Sequence, residues 1–227
     1  MNRTKSQIYI ITQGEEGAIQ TIILQTVNCN KLTVQNNREK EKNSIKSKKI
    51  KKERKMKIEK FKQITSTHTY LKENNSQYTE NTVILAEEQT GGIGTKGRSW
   101  HTGSNKNIAM SILYRTQKDA KNLDGLTIKI AEKLKQTIQE NYNIKLAIKE
   151  PNDLMLNGKK ICGILTESNT IGNKINYVII SIGFNVNENE FPKELENIAT
   201  SLYKETGKEF DKEKILKIFI KSLENII

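Results

Sequence analysis

The stretch Lys149-Glu150-Pro151-Asn152-Asp153-Leu154-Met155-Leu156-Asn157-Gly158-Lys159-Lys160-Ile161-Cys162-Gly163-Ile164-Leu165-Thr166-Glu167 decides the fold. Asn157-Gly158 lies between two apolar runs, and an Asn-Gly pair supplies the positive dihedral angles of a type I′ turn. It predicts a hairpin pairing Asp153 to Leu156 with Lys160 to Glu167. Before it, Ile144, Leu146 and Ile148 recur at a period of two; after it, Ile175 to Phe184 reads as the next strand. Thr82 to Ala86 and Ile108 to Tyr114 read as buried strands upstream. Leu123, Leu126, Ile130, Leu134 and Ile138 repeat at helical spacing, predicting an amphipathic helix over 119–142. A first helix is expected over Thr67 to Asn74, capped by Ser66 or Thr67, and a closing helix after Asp211 carrying Ile215, Ile218, Phe219, Leu223 and Ile226. Neighbouring strands with helices before and after them predict the α+β class: a mixed, mainly antiparallel sheet with helices packed on one face.

The composition narrows the function classes. The 227 residues are 28% charged and 35% hydrophobic, and no run approaches the ~18 apolar residues of a spanning helix. The apolar run Ile8 to Ile11 is too short for a signal peptide, so a cytoplasmic protein without membrane contact is expected. Cys29 and Cys162 with His68 and His101 form neither a disulfide framework nor a metal-ligand pattern, so no metal site is expected. The net charge of +12 is unevenly spread, because residues 38–60 hold twelve Lys/Arg and four Asp/Glu. A tract this charged and this poor in aromatics is expected to be a disordered, basic extension over 1–55, ahead of a folded domain over 56–227 with Met56 as an alternative start. Phosphate attraction by the same tract leaves an RNA-binding tail as the competing reading.

Two constellations carry chemistry. Gln89-Thr90-Gly91-Gly92-Ile93-Gly94-Thr95-Lys96-Gly97-Arg98-Ser99-Trp100 follows a strand. Such a loop brings backbone N–H groups close to an anion, and Lys96 and Arg98 can neutralise phosphate charge. Its spacing matches neither the Walker loop nor the dinucleotide fingerprint. A surface turn is the competing reading. The second constellation is the hairpin itself: Lys160 opens a buried strand, where its ammonium can stabilise carboxylate or phosphoryl charge, and Gly163 leaves room on that face.

Together these segments resemble the catalytic domain of biotin protein ligases over residues 56–227. The motifs are Ser66-Thr67-His68-Thr69-Tyr70-Leu71, Ala86 to Thr90 with the glycine loop through Trp100, Lys149 to Asp153 with Gly158 to Glu167, and Ile182-Gly183-Phe184-Asn185-Val186-Asn187. The resemblance implies that biotin and ATP with Mg2+ give biotinyl-adenylate and pyrophosphate, and that the adenylate then acylates a lysine of a biotin carrier domain such as an acetyl-CoA carboxylase subunit. It places Ser66, Thr67 and Gln89 at the ureido end of biotin and Gly92, Ile93, Gly94 and Thr95 over the adenylate. Lys160 belongs beside the reacting carboxylate, Arg98 against the phosphates, and Trp100 and Asn185 near the adenine. Lys160 and Arg98 are the implied catalytic residues.

The sequence departs from the family pattern at four positions. Ile93 and Thr95 stand where the loop usually has arginines, Glu150 where Trp is usual, and His68 where Asn is usual. Losing two charge-assisted contacts to the adenylate weakens its retention by ~1.5 to 3 kcal/mol each. The first 55 residues show no helix-turn-helix pattern, so no repressor role or DNA partner is expected. The chain ends soon after its closing helix, so the family's small C-terminal β-barrel is not expected. A homodimer is left open. The competing functions are a lipoate or octanoate transferase of the same fold family and a catalytically degraded biotin-binding homologue with a basic RNA-binding tail.

Overall fold

The computed structural model describes residues 9–13, 19–23, 56–103 and 105–227. The chain divides into two compact units, Met1–Glu53 and Arg54–Ile227. In the first, β1 (Tyr9–Gln13) pairs antiparallel with β2 (Ile19–Ile23). The rest of the basic tract expected over 1–55, Cys29 included, lies outside the described residues.

The second unit is built on seven strands: β3 (Lys57–Ile64), β4 (Thr82–Gln89), β5 (Ile108–Arg115), β6 (Ala147–Lys149), β7 (Asp153–Leu156), β8 (Lys159–Ile171) and β9 (Lys174–Phe184). Their order across the sheet is β3-β4-β5-β9-β8-β7-β6. Only β3 and β4 run parallel; every other neighbouring pair is antiparallel, as in the mixed sheet expected. Asn157 and Gly158 take φ values of 49° and 80°, the two positive angles that a tight hairpin between β7 and β8 requires.

Alternation along the strands separates the two sheet faces. Val83, Leu85, Met110, Ile112, Cys162, Ile164, Ile180, Ile182 and Phe184 point to one face. There they pack under α2 (Leu126–Tyr142) and α4 (Lys212–Leu223). The Phe184 and Phe219 rings meet edge to face at 5.1 Å in the middle of this core. Ile84, Leu113 and Ile179 point the other way and are covered by Leu71 of a short helix, α1 (Thr67–Asn74). Ser66 caps α1 by accepting a hydrogen bond from the Thr69 N–H. The long helices thus share one face as expected, and α1 adds a small cover to the opposite one.

Several boundaries differ from those read in the sequence: the closing helix ends at Leu223, short of the expected Ile226, and β8 runs on past Glu167 to Ile171. The helix expected over 119–142 begins at Leu126, because Gly125 takes a left-handed φ of 66° and Ala120–Leu123 forms a separate 3-10 turn. The alternation at Ile144, Leu146 and Ile148 forms a strand only over Ala147–Lys149. A five-residue helix, α3 (Leu202–Thr206), was not anticipated; Ser201 caps its start and Gly207, at φ 68°, ends it. Asp211 caps α4 as expected.

Both rings of the Phe184–Phe219 pair are fully buried. Phe219→Ala should therefore lower the unfolding free energy by about 3 to 5 kcal/mol, read as a lower urea midpoint at unchanged slope.

Candidate active site

The site forms where the face covered by α1 runs out of large side chains. Along that face β9 presents Ile179, then Ser181, then Gly183, and these pair with Leu113, Ser111 and Ala109 of β5. On the other side Gly183 pairs with Gly163 of β8. The Trp100 indole lies across this glycine pair. A Cβ on Gly183 would come within 2.2 Å of the ring, and one on Gly163 within 2.8 Å. No side chain at either position leaves room for the indole.

A β-bulge brings Lys160 to the same ring. Met155 pairs with Lys160 but Leu154 pairs with Cys162, so Ile161 is the extra residue on β8. Strict alternation would put residues 160 and 163 on opposite faces; the bulge turns both toward Trp100. The Lys160 ammonium sits 5.3 Å from the centre of the indole and 2.7 Å from Asp153 Oδ1. The Lys160 backbone is held as well: its N–H donates to Ile198 O at 2.8 Å, and its carbonyl accepts from the Thr200 N–H at 2.9 Å. Next along β8, Cys162 is fully buried, which pushes its thiol well above the usual range and leaves it unreactive.

The glycine loop is a closed turn. Trp100 N–H donates to Gly92 O and Gly94 N–H to Arg98 O, both at 2.7 Å. Gly92 is required there, because a Cβ would lie 2.5 Å from Trp100 O. At the tip Lys96 and Gly97 take φ values of 59° and 71°. Arg98 is tied back to Thr95, its Nε donating to the Thr95 carbonyl and its terminal nitrogen to Thr95 Oγ1.

Two adjoining cavities result. The larger, about 380 Å³, is lined by Arg98, Lys149, Lys160, Asp153, Asn185 and Trp100, with Phe191, Leu195 and Ile198 as its apolar wall. Three cations against one carboxylate suit an anionic ligand. The smaller, about 40 Å³, is lined by Ser66, Thr67, His68, Gln89 and Ser181, with Ile93, Gly94 and Thr95 over it. Gly94, Thr95, Trp100 and Lys160 border both cavities. The residues marked in the sequence are thus brought together, with two exceptions: Gly92 lies behind the small cavity against Gln89 and the Trp100 backbone, and Lys96 is exposed at the loop tip.

Sequence reasoning missed the polar floor. Thr67 Oγ1 lies 2.8 Å from Ser111 Oγ, which lies 2.7 Å from Ser181 Oγ, which lies 2.8 Å from His68 Nδ1. On its other side His68 Nε2 is 3.1 Å from Glu167 Oε2, and Lys72 Nζ is 2.8 Å from Glu167 Oε1. A signal was present: a single serine within each of two apolar runs, 108–114 and 178–184.

Lys72 holds the Glu167 carboxyl below its usual range, His68 adding to the effect against the opposing influence of burial. A depressed carboxylate contributes stability above its unfolded-state pKa and loses it as pH falls through the folded-state value. Glu167→Gln should therefore destabilise the protein at neutral pH and flatten its acid-side loss of stability. Because Glu167 is partly exposed, the effect should stay below about 1 kcal/mol in a urea titration at several pH values. Gly183→Ala should displace Trp100, the single tryptophan of the chain, and change its emission while the far-UV circular dichroism stays as it was.

The pattern of the biotin/lipoate A/B protein ligase family matches residues 60–185. The bifunctional ligase/repressor BirA of Bacillus subtilis is 39% identical over 140 residues, covering 61% of this chain and 43% of that protein. The biotin--[acetyl-CoA-carboxylase] ligase of Paracoccus denitrificans is 35% identical over 138 residues, 59% of this chain and 57% of its own. The chain spans about half the length of these relatives. The solved biotin protein ligase of Aquifex aeolicus in complex with biotin and ATP superposes with a TM-score of 0.63 at 31% identity, covering 75% of this chain and 69% of that one. The matched stretch contains both cavities' sheet floor, the glycine loop and the Lys160 hairpin, and the chain belongs to the biotin/lipoate A/B protein ligase family.

Proposed function

We propose that the protein is an ATP-dependent biotin–protein ligase, which joins biotin to AMP and passes the biotinyl group to a lysine of a carrier domain such as an acetyl-CoA carboxylase subunit. The observation that carries this reading is the position of Lys160 at the junction of a small polar cavity and a larger cationic one. An acid whose polar head enters the small cavity presents its carboxylate at the junction, next to the ammonium. A nucleotide in the larger cavity presents its α-phosphate to the same group. Attack of the carboxylate oxygen on that phosphorus releases pyrophosphate and needs no protein nucleophile. What the site supplies is alignment and positive charge where two anions must approach each other.

Each remaining residue has a place in this scheme. Arg98, held by Thr95, faces the phosphates, with Mg2+ arriving on the ATP. Two buried polar atoms in the site lack a partner: Trp100 Nε1 and Asn185 Oδ1. Asn185 lines the larger cavity and its amide already donates to Thr200 O, so its free oxygen suits an adenine amino group. Ile93, Gly94 and Thr95, which line the small cavity, close over the bound acid. Residues 56–227 then form the catalytic domain, with the basic tract over 1–55 as a tether. Among the described residues no helix is long and apolar enough to cross a membrane.

The relatives' names and the solved complexes favour biotin over lipoate. The full chain should catalyse biotin-dependent exchange between ATP and pyrophosphate and give none with lipoate. Lys160→Ala should lower the rate at least ~100-fold, the scale of losing one positioned charge-stabilising group. Exchange with lipoate but not biotin, or undiminished exchange in the Lys160 variant, would sink the assignment.

A further inference from the structure

The hydrogen-bond chain beneath the small cavity contains more contacts than its hydroxyls can supply protons for. Four contacts run from Gln89 Oε1 through Thr67 Oγ1, Ser111 Oγ and Ser181 Oγ to His68 Nδ1. Each needs one hydrogen, and the three hydroxyls bring three. The Gln89 end cannot donate. Its Oε1 accepts from the Thr67 backbone N–H at 2.8 Å, while its Nε2 donates to Thr102 Oγ1, so the amide orientation is fixed. The fourth hydrogen must come from His68 Nδ1.

The other ring nitrogen is committed too. His68 Nε2 faces a carboxylate oxygen of Glu167, which only accepts while it is ionised. Lys72, on the ring's own helix, pairs with the second oxygen of that carboxylate and keeps it charged. The other elements packed against α1 bring Ser111 from β5, Gln89 from β4 and Ser181 from β9, all neutral. Tyr177 of β9 lies near Lys72. The ring is 2% exposed. With both nitrogens protonated every contact in the chain is filled, and every hydroxyl points toward Gln89. Loss of the Nδ1 proton leaves one contact with two facing lone pairs and the chain without a direction.

We infer that His68 is a positioning residue that sets the donor direction across the floor of the small cavity, and so orients a cyclic urea head, by donating from both ring nitrogens, to Ser181 and to Glu167. The inference rests on the biotin reading above. A ureido group offers two N–H donors and one carbonyl acceptor in a fixed plane, and it is oriented only by a floor whose own donors and acceptors do not exchange places. With the chain directed at Gln89, Thr67 Oγ1 keeps a lone pair for a ligand N–H. An asparagine amide at this position can make the donation to Ser181, and an alanine can make neither donation.

The test is the KM for biotin of the full chain, measured beside His68→Asn and His68→Ala under one set of conditions, with ring-nitrogen NMR of the wild type and His68→Asn. His68→Ala should raise KM roughly fivefold, the ratio one lost buried hydrogen bond corresponds to, and leave kcat within about twofold. His68→Asn, which restores a donor facing Ser181, should bring KM back to the wild-type value. Only two histidines are present, so the resonance missing from His68→Asn identifies the ring. A KM in His68→Asn as high as that of His68→Ala, or a wild-type ring with either nitrogen unprotonated under the assay conditions, overturns the inference. Absence of biotin turnover would instead sink the proposed function, and the ring spectrum would still decide whether both nitrogens of His68 are protonated.

Discussion

The site depends on one contact, the Trp100 indole lying flat across the Gly163–Gly183 pair. Two adjacent strands give up their side chains at paired positions, and the ring fills the space. That stack fixes the wall shared by the two cavities and gives the Lys160 ammonium an aromatic face to sit over. It also explains why the glycine loop closes as tightly as it does, since Gly92 must let the Trp100 carbonyl approach for the ring to reach the sheet. The Ile161 bulge completes the arrangement by turning Lys160 to the face that strict alternation would deny it.

The same sheet face serves two purposes along its length. At one end Ile84, Leu113 and Ile179 are sealed by Leu71 of α1, which fixes the helix whose first turn carries Thr67 and His68. A few residues further the face changes to Ser111 and Ser181, and then to glycine. The apolar part holds the helix down, and the polar part uses what the helix brings. The opposite face, packed under α2 and α4 with the Phe184–Phe219 contact at its centre, contributes rigidity and no chemistry.

Much of this was legible in the sequence, for identifiable reasons. Asn157-Gly158 located the hairpin because few dipeptides tolerate two positive φ angles, and continuous apolar runs marked β4 and β5 as buried strands. The ordered motifs pointed to Ser66, Thr67, Gln89, Lys160 and Asn185 together, and the structure brings all five to the two cavities. The start of α2 was misplaced because Leu123 continues the helical spacing through a glycine whose backbone does not. The hydrogen-bond chain was signalled only by lone serines in two apolar runs: it joins residues on α1, β4, β5, β8 and β9, and only the pairing register shows that Ser111 and Ser181 are neighbours. The Lys160–Asp153 ion pair was hidden by the bulge, which shifts the register within the hairpin itself.

The short bridge that clamps the Lys160 backbone between Ile198 and Thr200 has a consequence for how the site can vary. The residues just before it, Phe191 and Leu195 among them, form a wall of the larger cavity. Substitutions within that wall can reshape the compartment while the bridge keeps the ammonium in register with Trp100. Ligand fit on that side and the placement of the reactive charge are therefore separable traits, open to change one at a time.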